Sequence, residues 1–392
     1  MKKLIYAAFI ALLALNAVSD NVALKPDGDG SKEKPYLISK IEHLVWMRET
    51  VASSEGKHYK MTADIDAAET KDWDNGRGFS PIGAPEPLIK KSSDVNRKFP
   101  PFLGFFDGNG HCISNLYINR PKEEYASLFG NIGQPGEMGV FDKWRLMCDE
   151  VADTFRKRNF TCGVKDLAVV NSDLTAELHA AGLAFQINTC RVEGCYLSGR
   201  LSALRSLAGL AAVAEKSYVS ECATDFEYDS RYSGLAGIAG YSKISIYEDC
   251  SVSGKCRPHQ RETHDTLLAG TEKRNRMRYG ADYKGYETMG ISVVFFSWDG
   301  AIFRCLGDLE LTGNRSLPSV HPFPENHGGN MTKDSFCDAE KLHTQRNPEM
   351  GVLKTLELRQ KKNYENWDQE KIWEIKEGEL PRLRRLKRWQ KN

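Results

Sequence analysis

Two aspartates, Asp64 and Asp66, have the residue type and spacing for acid–base chemistry. On a β-strand, residues two apart share one face, and a pair of facing carboxylates is what glycoside hydrolysis requires. The same side chains also suit a turn or cap at the end of a strand, because short carboxylates accept hydrogen bonds from nearby backbone N–H groups. We favour the turn role, and the sequence therefore assigns no catalytic residue.

Two segments contain potential metal ligands, and neither has the spacing of a standard site. The first is a cluster of His and acidic residues: His259, Glu262, His264 and Asp265. It matches no common pattern, and HExxH is absent. The second, 107–110, begins like a calcium loop, but Cys112 stands where glycine is required and Ile118 where the loop needs glutamate. We interpret it as a tight hairpin turn, in which Asn-Gly supplies the positive φ angles, and predict no metal and no cofactor.

The cysteines give a third possible chemistry. They are Cys112, Cys148, Cys162, Cys190, Cys195, Cys222, Cys250, Cys256, Cys305 and Cys337. No CxxC spacing occurs among them, so zinc binding has no support. Their even number permits disulfide bonds in an exported protein without giving the connectivity.

The N-terminus has the layout of a secretory signal peptide over residues 1–19. Met1-Lys2-Lys3 is cationic, 4–15 is apolar, and 17–19 places small residues at a cleavage site. A retained membrane anchor is the alternative, but the run is short for a bilayer, and no later stretch reaches the roughly 18 apolar residues of a span. We predict a soluble mature chain without a transmembrane segment, in the periplasm, on the outer cell surface or in the medium of a bacterium.

The charge balance argues against one class of partner. Lys and Arg number 54 and Asp and Glu 53, which gives a formal net charge of +1. A chain this neutral has no overall field to collect polyanions. Nucleic acid is therefore not predicted as a partner, and we expect a monomer.

A repeat of about 27 residues runs through the middle of the chain. Gly182, Gly209 and Gly237 lie in similar short apolar segments, 27 and 28 residues apart. A second column keeps the same frame: Leu167, Cys195, Cys222, Cys250 and Cys305. Two columns with one period indicate a repeated structural unit.

The content of each repeat favours strands over helices. Short β-type runs alternate with Gly, Ser, Asn and Asp, and about 27 residues accommodate three strands of ~5 residues with three corners. Copies stacked about 4.8 Å apart would pair every strand with the coils above and below. The sequence therefore predicts an all-β solenoid with parallel strands, and a β-sandwich with coincidental spacing is the alternative.

In this stack the cysteine column points inward. Successive Cα atoms would be about 4.8 Å apart, but their Cβ vectors would run parallel, which does not suit disulfides. We predict that these cysteines are buried reduced thiols that pack as small hydrophobes. Cys162 and Cys190 lie 28 residues apart, at a corner five residues before the column, and are the better disulfide candidates.

The ends of a solenoid need covers, because open strand edges invite association. Ser39 to Glu42 fits a capping box, and we predict that residues 39–52 form a helix at the N-terminal end. A Trp-rich segment, 364–383, is predicted to cover the other end. The predicted order is a cap and first coils at 20–110, the β-helix at 111–315, and a short α/β C-terminal cap with a basic tail at 316–392.

Two excursions interrupt the period. Residues 134–160 have apolar side chains at helical spacing, which favours a helix docked on its own solenoid over one that binds a partner. Residues 256–289 include a basic stretch, for which a polar surface loop and a binding arm for an acidic glycan are two interpretations. Because Cys250 and Cys305 are 55 residues apart, one imperfect coil is a third.

Several short motifs occur in the order typical of one family. They are Asp64-Ile65-Asp66, Pro81-Ile82-Gly83, Phe102-Leu103-Gly104-Phe105-Phe106-Asp107-Gly108-Asn109-Gly110-His111, Ile113-Ser114-Asn115-Leu116 and Leu128-Phe129-Gly130. Over about 28–315 the chain resembles the GLUG-repeat family of bacterial secreted proteins, which includes adhesins and the region ahead of the catalytic domain in some IgA metallopeptidases. The resemblance implies a right-handed parallel β-helix and supplies no catalytic residues.

These observations lead to a functional expectation. We expect a secreted, non-catalytic β-helix for surface display, adhesion or glycan binding, with surface glycans or host and matrix polymers as partners. The alternative is a carbohydrate-active β-helix enzyme, either a polysaccharide lyase or a hydrolase. Converging carboxylates and cations on one outward strand face would favour the enzyme, and exposed aromatic and hydroxyl groups would favour binding.

Overall fold

The computed structural model describes residues 22–83, 100–134, 149–204, 206–230, 235–256, 291–298, 300–312 and 331–390. These residues are mostly β, with two α-helices, α1 (Ile41–Glu49) and α2 (Asp149–Lys157), and short 3₁₀ turns. The prediction of a mostly β chain is confirmed. The predicted signal peptide, the His259–Asp265 cluster and most of the excursion at 256–289 lie outside the described residues.

Three sheets contain almost all of the strands. Across sheet A the order is β1 (Tyr36–Ile38), β2 (His58–Met61), β4 (Phe105–Asp107), β9 (Gly163–Lys165), β13 (Arg191–Glu193), β17 (Tyr218–Ser220), β20 (Ile246–Glu248), β23 (Ala301–Phe303) and β25 (Met331–Lys333). Across sheet B it is β3 (Ile65–Asp66), β5 (Cys112–Ser114), β10 (Ala168–Ala176), β14 (Tyr196–Ala203), β18 (Ala223–Ser230), β21 (Ser251–Cys256), β24 (Leu306–Leu311), β26 (Phe336–Asp338) and β27 (Val352–Leu353), while β6 (Tyr117–Arg120) also pairs with β10.

Sheet C receives two short strands from most passes of the chain. Its order is β7 (Tyr125–Ala126), β11 (His179–Ala181), β15 (Ser206–Ala208), β19 (Leu235–Lys243), β16 (Ala211–Glu215), β12 (Ala184–Asn188) and β8 (Phe129–Ile132), while β22 (Ile291–Trp298) also pairs with β19. A separate antiparallel pair joins β28 (Trp373–Glu374) to β29 (Arg382–Leu383).

The pairing within the three sheets is parallel and keeps the period of the sequence. The chain passes from β13 in sheet A through β14 in sheet B and β15 and β16 in sheet C, and returns to sheet A at β17. Val192 pairs with Val219, and Val219 with Tyr247, so the spacings of 27 and 28 residues are spacings between strand neighbours. Parallel pairing was predicted and is confirmed.

The corner between sheets A and B repeats one backbone conformation. The residue just before the inward column has a positive φ in each turn of the chain: Asp166, Gly194, Glu221, Asp249, Arg304 and Asp334. This left-handed residue turns the chain sharply enough to change sheets. The turn at 107–110 is another such corner, so the predicted hairpin is wrong. Asn109 and Gly110 have the expected positive φ angles, 52° and 74°, but they join β4 of sheet A to β5 of sheet B.

Helix α1 begins at Ile41 and buries Ile41, Leu44, Val45 and Met47. The predicted capping box is not formed, because the cap residue is Lys40 and no side chain caps the helix. Instead, the backbone N–H of Ser39 donates to Nδ1 of His43 at 3.2 Å. The helix thus depends on its apolar packing rather than on its cap.

Helix α2 lies against the outer face of sheet A. Phe155 and Phe160 are buried on a cluster that includes Tyr218, Ile246 and Phe303. The rest of the predicted excursion before Asp149 lies outside the described residues. The described part packs on its own chain, as the helical spacing predicted.

The C-terminal segment, residues 357–390, lies along the outer face of sheet B. Its apolar side chains form one cluster with outward residues of that sheet: Leu358, Tyr364, Trp367, Trp373, Leu383 and Leu386. Trp367 Nε1–H donates to the Asp334 carbonyl, and Arg385 contacts Asp166, many strands away. The sequence predicted a cover for the end of the stack, whereas the structure places this segment along its flank.

Candidate functional site

A long groove follows the outer face of sheet B beside the C-terminal segment. Three outward rows of side chains cross the strands there, and strand register defines them. The first row is covered by the C-terminal segment and comprises Cys112, Ala168, Tyr196, Ala223, Ser251 and Leu306. The second row is therefore the floor of the groove.

The floor consists of short polar side chains. Ser198, Asp225, Ser253 and Asp308 are direct neighbours on β14, β18, β21 and β24. Each of these residues comes three positions after a cysteine of the inward column. The repeat in the sequence could therefore have predicted this row, although no motif pointed to it. Asp225 is half-buried. Its carboxylate has no hydrogen-bond or ion-pair partner within the part of the chain that the structure describes.

One wall of the groove is a row of alternating charges. It comprises Asp173, Arg200, Glu227, Lys255 and Glu310, again in register. Lys255 lies 3.7 Å from Glu310, and Arg200 donates to Asp229 at 2.8 Å. Because the charges alternate, they largely neutralise one another, and this wall presents hydrogen-bonding groups without a strong field of one sign.

The C-terminal segment forms the opposite wall. It contributes the half-buried Trp389 and three cations that are ion-paired with acidic side chains: Arg382 with Glu379, Lys387 with Glu374 and Arg388 with Asp64. The Arg388 guanidinium lies 4.0 Å above the Trp389 ring, which fixes that ring at the edge of the groove. Aromatic faces beside polar side chains are suited to bind sugar rings.

Two connected cavities make up the groove. Their volumes are about 1040 Å³ and 760 Å³, and Tyr196 and Asp225 line both. Five strand spacings separate the β5 and β24 ends, which at about 4.8 Å each gives about 24 Å of length. The dimensions therefore suit an extended polymer better than a single small molecule.

The two carboxylates of the floor differ in their surroundings. Burial raises the pKa of Asp308, and Lys341, whose Nζ donates to it at 2.7 Å, partly opposes that shift. Asp225 lies two strands away, about 9.6 Å at the Cα positions by strand spacing. The two carboxyl groups of inverting glycosidases are roughly 6.5–9.5 Å apart, a range just below this Cα separation.

The aspartates singled out by their spacing accept backbone hydrogen bonds and do not line this groove. Asp64 accepts from the backbone N–H of Cys112 at 2.9 Å, and Asp66 from that of Ala68 at 3.0 Å and from Nδ2 of Asn115 at 2.9 Å. The hydrogen bond from the Cys112 amide holds the pKa of Asp64 below its usual value. Asp66 thus closes a local turn, whereas the partner of Asp64 is 48 residues away, so Asp64 caps the start of the neighbouring strand β5.

The column residues lie inside the stack. Leu167, Cys195, Cys222, Cys250 and Cys305 are at most 1% exposed. The Cys222, Cys250 and Cys305 thiols each donate to the carbonyl two residues earlier, at 3.2, 3.3 and 3.3 Å. Burial raises the pKa of the Cys250 thiol well above its ordinary value, which keeps it protonated. Each thiol thus acts both as a small hydrophobe and as a corner hydrogen-bond donor.

Cys162 and Cys190 lie together at the corner between sheets C and A. Both are buried and free in the structure. The disulfide between them stays a prediction. The hydroxyl groups of Ser217 and Ser245 follow Cys190 in this corner, and each donates to the carbonyl two residues earlier.

Two further properties bear on function. Among the described residues, no group of three or more His, Cys, Asp and Glu side chains could hold a metal ion. No helix within the described ranges is both long and apolar enough to span a membrane.

Comparisons with known proteins give partial likenesses. No family model matches the chain. A protein of Evansella cellulosilytica provisionally named a Gly-rich membrane protein is 38% identical over 109 residues, which are 28% of this chain and 11% of that protein. Halomucin of Haloquadratum walsbyi is 31% identical over 125 residues, 32% of this chain and 1% of halomucin. The chain thus spans a small fraction of the length of both curated relatives.

One solved structure also resembles the chain. It is a crystal structure from Bacteroides ovatus, provisionally described as an immunoglobulin A1 protease, with 13% identity and a TM-score of 0.44. The match covers 91% of this chain and 94% of the other. At this TM-score the likeness carries no inference about fold or function.

Proposed function

We propose that the protein is an extracellular bacterial scaffold that binds an extended glycan in the groove of sheet B, without turning it over. The observation that carries the proposal is the groove itself, about 24 Å long by strand spacing. Its floor is polar, one wall has alternating charges, and the other wall has ion-paired charges and an indole. Such surroundings offer a polymer of sugars hydrogen bonds to its hydroxyls and an aromatic face to its rings.

The architecture that we propose for the scaffold is a right-handed parallel β-helix of the GLUG-repeat type. Parallel strands, a return to the same sheet after 27 or 28 residues and a repeated corner support the helix. The general preference for right-handed crossovers between parallel strands of one sheet supports the hand. A relative named as a membrane protein and the predicted signal peptide support a location outside the cytoplasm.

Binding is tested with the mature chain on an array of neutral, amino and acidic polysaccharides, followed by calorimetry with oligomers of increasing length. Because the groove is long, affinity is expected to rise with oligomer length until the groove is filled. Ser198→Phe places a bulky ring on the floor and is expected to weaken binding at least about tenfold.

A matched control places a change elsewhere on the stack. Gln186→Ala alters a half-buried side chain on sheet C and is expected to leave binding unchanged. Loss of binding in Gln186→Ala but not in Ser198→Phe would contradict the assignment of the groove. The same conclusion would follow if affinity did not depend on oligomer length.

One observation favours the enzyme as a second candidate. Asp225 and Asp308 share the groove floor, and burial raises the pKa of Asp308, as a general acid requires. If the protein is a hydrolase, it should release reducing ends from a polysaccharide, and both Asp225→Asn and Asp308→Asn should abolish the release. Binding without release of reducing or unsaturated ends would exclude this candidate for the polysaccharides tested.

A further inference from the structure

A second groove lies on the outer face of sheet A, around the corner from the first. Its floor is one row of direct strand neighbours: His58, Phe105, Gly163, Arg191 and Tyr218. The cavity above it has a volume of about 630 Å³. None of the residues that line this cavity lines the groove of sheet B, so the two grooves are separate. Glu193, at the edge of this cavity, also contacts Arg385 of the C-terminal segment.

The rings of this row are stacked on both sides of Gly163. His58 and Phe105 have ring centroids 4.9 Å apart and planes only 15° from parallel. On the other side, the Arg191 guanidinium lies 4.7 Å from the centroid of the Tyr218 ring. Because the spacing of the two rings equals the strand spacing, the free face of Phe105 points along the row toward Gly163.

The row of outward side chains therefore has a gap at Gly163. Gly163 has no side chain, and Phe105 and Arg191 are two strands apart, about 9.6 Å. A six-membered ring midway between them would lie about 4.8 Å from each, which is a normal stacking distance. A Cβ on Gly163 would come within 2.2 Å of the Arg191 carbonyl oxygen, so the close approach of the backbone requires glycine and keeps the gap open.

The charges around the gap favour an anion. Five cationic side chains line the groove against three acidic ones: Lys32, Lys60, Arg158, Lys165 and Arg191 against Glu33, Asp107 and Glu193. Lys165 is paired with Asp107 at 3.1 Å and Arg191 with Glu193 at 2.9 Å. Lys60 is half-buried and has no ion-pair partner among the residues that the structure describes.

We infer that this groove binds one acidic sugar residue, with its ring between Phe105 and Arg191 and its carboxylate near Lys60. Stacking between Phe105 and Arg191 favours a ligand with a six-membered ring, and the excess of cationic side chains favours a ligand with a carboxylate. A sugar offers C–H groups to the Phe105 face and hydroxyls to the surrounding polar side chains, both of which this half-exposed groove can use. The inference does not depend on glycan binding by sheet B, because the two grooves have separate floors on different sheets.

The test is calorimetry with galacturonic acid, galactose and benzoate as probes. Galacturonic acid is expected to bind, and galactose at least about tenfold more weakly, because it lacks the carboxylate. Phe105→Leu removes the stacking face, and Lys60→Gln removes the charge of a half-buried side chain that is not part of the core. Each is expected to weaken galacturonic acid binding by about fivefold to tenfold.

The control variant is Gln186→Ala, which changes a half-buried side chain on sheet C, outside both grooves, and should leave galacturonic acid binding unchanged. Equal binding of galactose and galacturonic acid would overturn the choice of an acid, and preferred binding of benzoate would overturn the choice of a sugar. Wild-type affinity in both Phe105→Leu and Lys60→Gln, or no binding of galacturonic acid at millimolar concentration, would overturn the site. Failure of polysaccharide binding in sheet B would leave all of these results unaffected.

Discussion

Trp373 is the side chain whose removal tests how the C-terminal segment is held. It is fully buried between this segment and sheet B, with its ring centroid 4.3 Å from that of Trp367. Its Nε1–H donates to Oδ1 of Asp249 at 2.8 Å, at the corner of sheets A and B. Trp373→Ala removes both the largest buried ring of the cluster and this hydrogen bond.

The expected cost follows from the contacts. Truncation of a buried Trp to Ala costs about 3–5 kcal/mol in the free energy of unfolding. Asp249 keeps two hydrogen bonds from Arg304, both 2.8 Å, so the lost indole does not leave a buried carboxylate unpaired and adds no separate penalty. Trp373→Phe keeps an aromatic ring but loses a bond to a charged acceptor, and should cost about 1.5–3 kcal/mol.

Because the cluster lies on the flank of the stack, we expect the loss to be local. In Trp373→Ala, the amides of 357–390 should exchange hydrogen faster, and trypsin should cleave at the Lys and Arg residues of this segment. The amides of β13, β14 and β17 should keep their protection, since the parallel ladders do not depend on the segment. Hydrogen-exchange mass spectrometry and urea unfolding measure both effects.

Trp389→Ala is the matched control. This ring is half-buried at the edge of the groove, and its loss should cost less than about 1 kcal/mol. The reasoning is refuted if Trp373→Ala unfolds within about 1 kcal/mol of the wild type. It is also refuted if exchange rises equally in the three sheets, because the segment would then be part of one cooperative unit. Trp373→Phe provides the same readouts if the alanine variant does not fold.

Three further predictions concern acid stability, the corner thiols and the predicted disulfide. Bonds from Arg346 and the Lys354 amide hold the pKa of Glu357 at about 2, below its ordinary 4.5, so its stabilising effect is present above pH 4.5 and is lost as the pH falls toward 2. Acid unfolding of Glu357→Gln should therefore show a smaller loss of stability in that range than the wild type, and an identical profile would contradict this. Cys222→Ser keeps the corner donor and Cys222→Ala does not, so urea unfolding should show the serine variant to be more stable by about 1 kcal/mol, and the reverse order would contradict the donor role. Non-reducing peptide mapping of the exported protein should find the peptides of Cys162 and Cys190 linked, and free thiols at both positions would exclude the disulfide.

The repeat in the sequence predicted much of the fold, because each repeat contacts only its neighbours. A parallel stack places residues one turn apart in direct contact, so the same type of residue is needed again after 27 or 28 positions. Gly182, Gly209 and Gly237 made this visible. The same corner position holds Cys305 in one repeat and Ser335 in the next. Both side chains donate a hydrogen bond to the carbonyl two residues earlier, so this alternation could have predicted that the position needs a donor.

Local motifs predicted the neighbourhood of a residue better than its place in the fold. The turn at Asn109 and Gly110 has the predicted positive φ angles, yet it changes sheets instead of forming a hairpin. Ser39 fits a capping box by spacing, but its backbone N–H bonds to His43 and no side chain caps the helix. In both cases the competing tertiary packing decided which of several locally allowed structures formed.

The sequence by itself determined the mostly β character, the parallel pairing and the rows of side chains that face in or out, because each follows from contacts repeated along one period. Only the tertiary structure decided where the two grooves lie. The groove of sheet B needs the C-terminal segment, 357–390, which follows every strand of the groove in the chain, to cover its first row and leave the second open. The gap at Gly163 needs Phe105 and Arg191 on either side, and their distance along the row depends on the stacking of strands that are far apart in the chain.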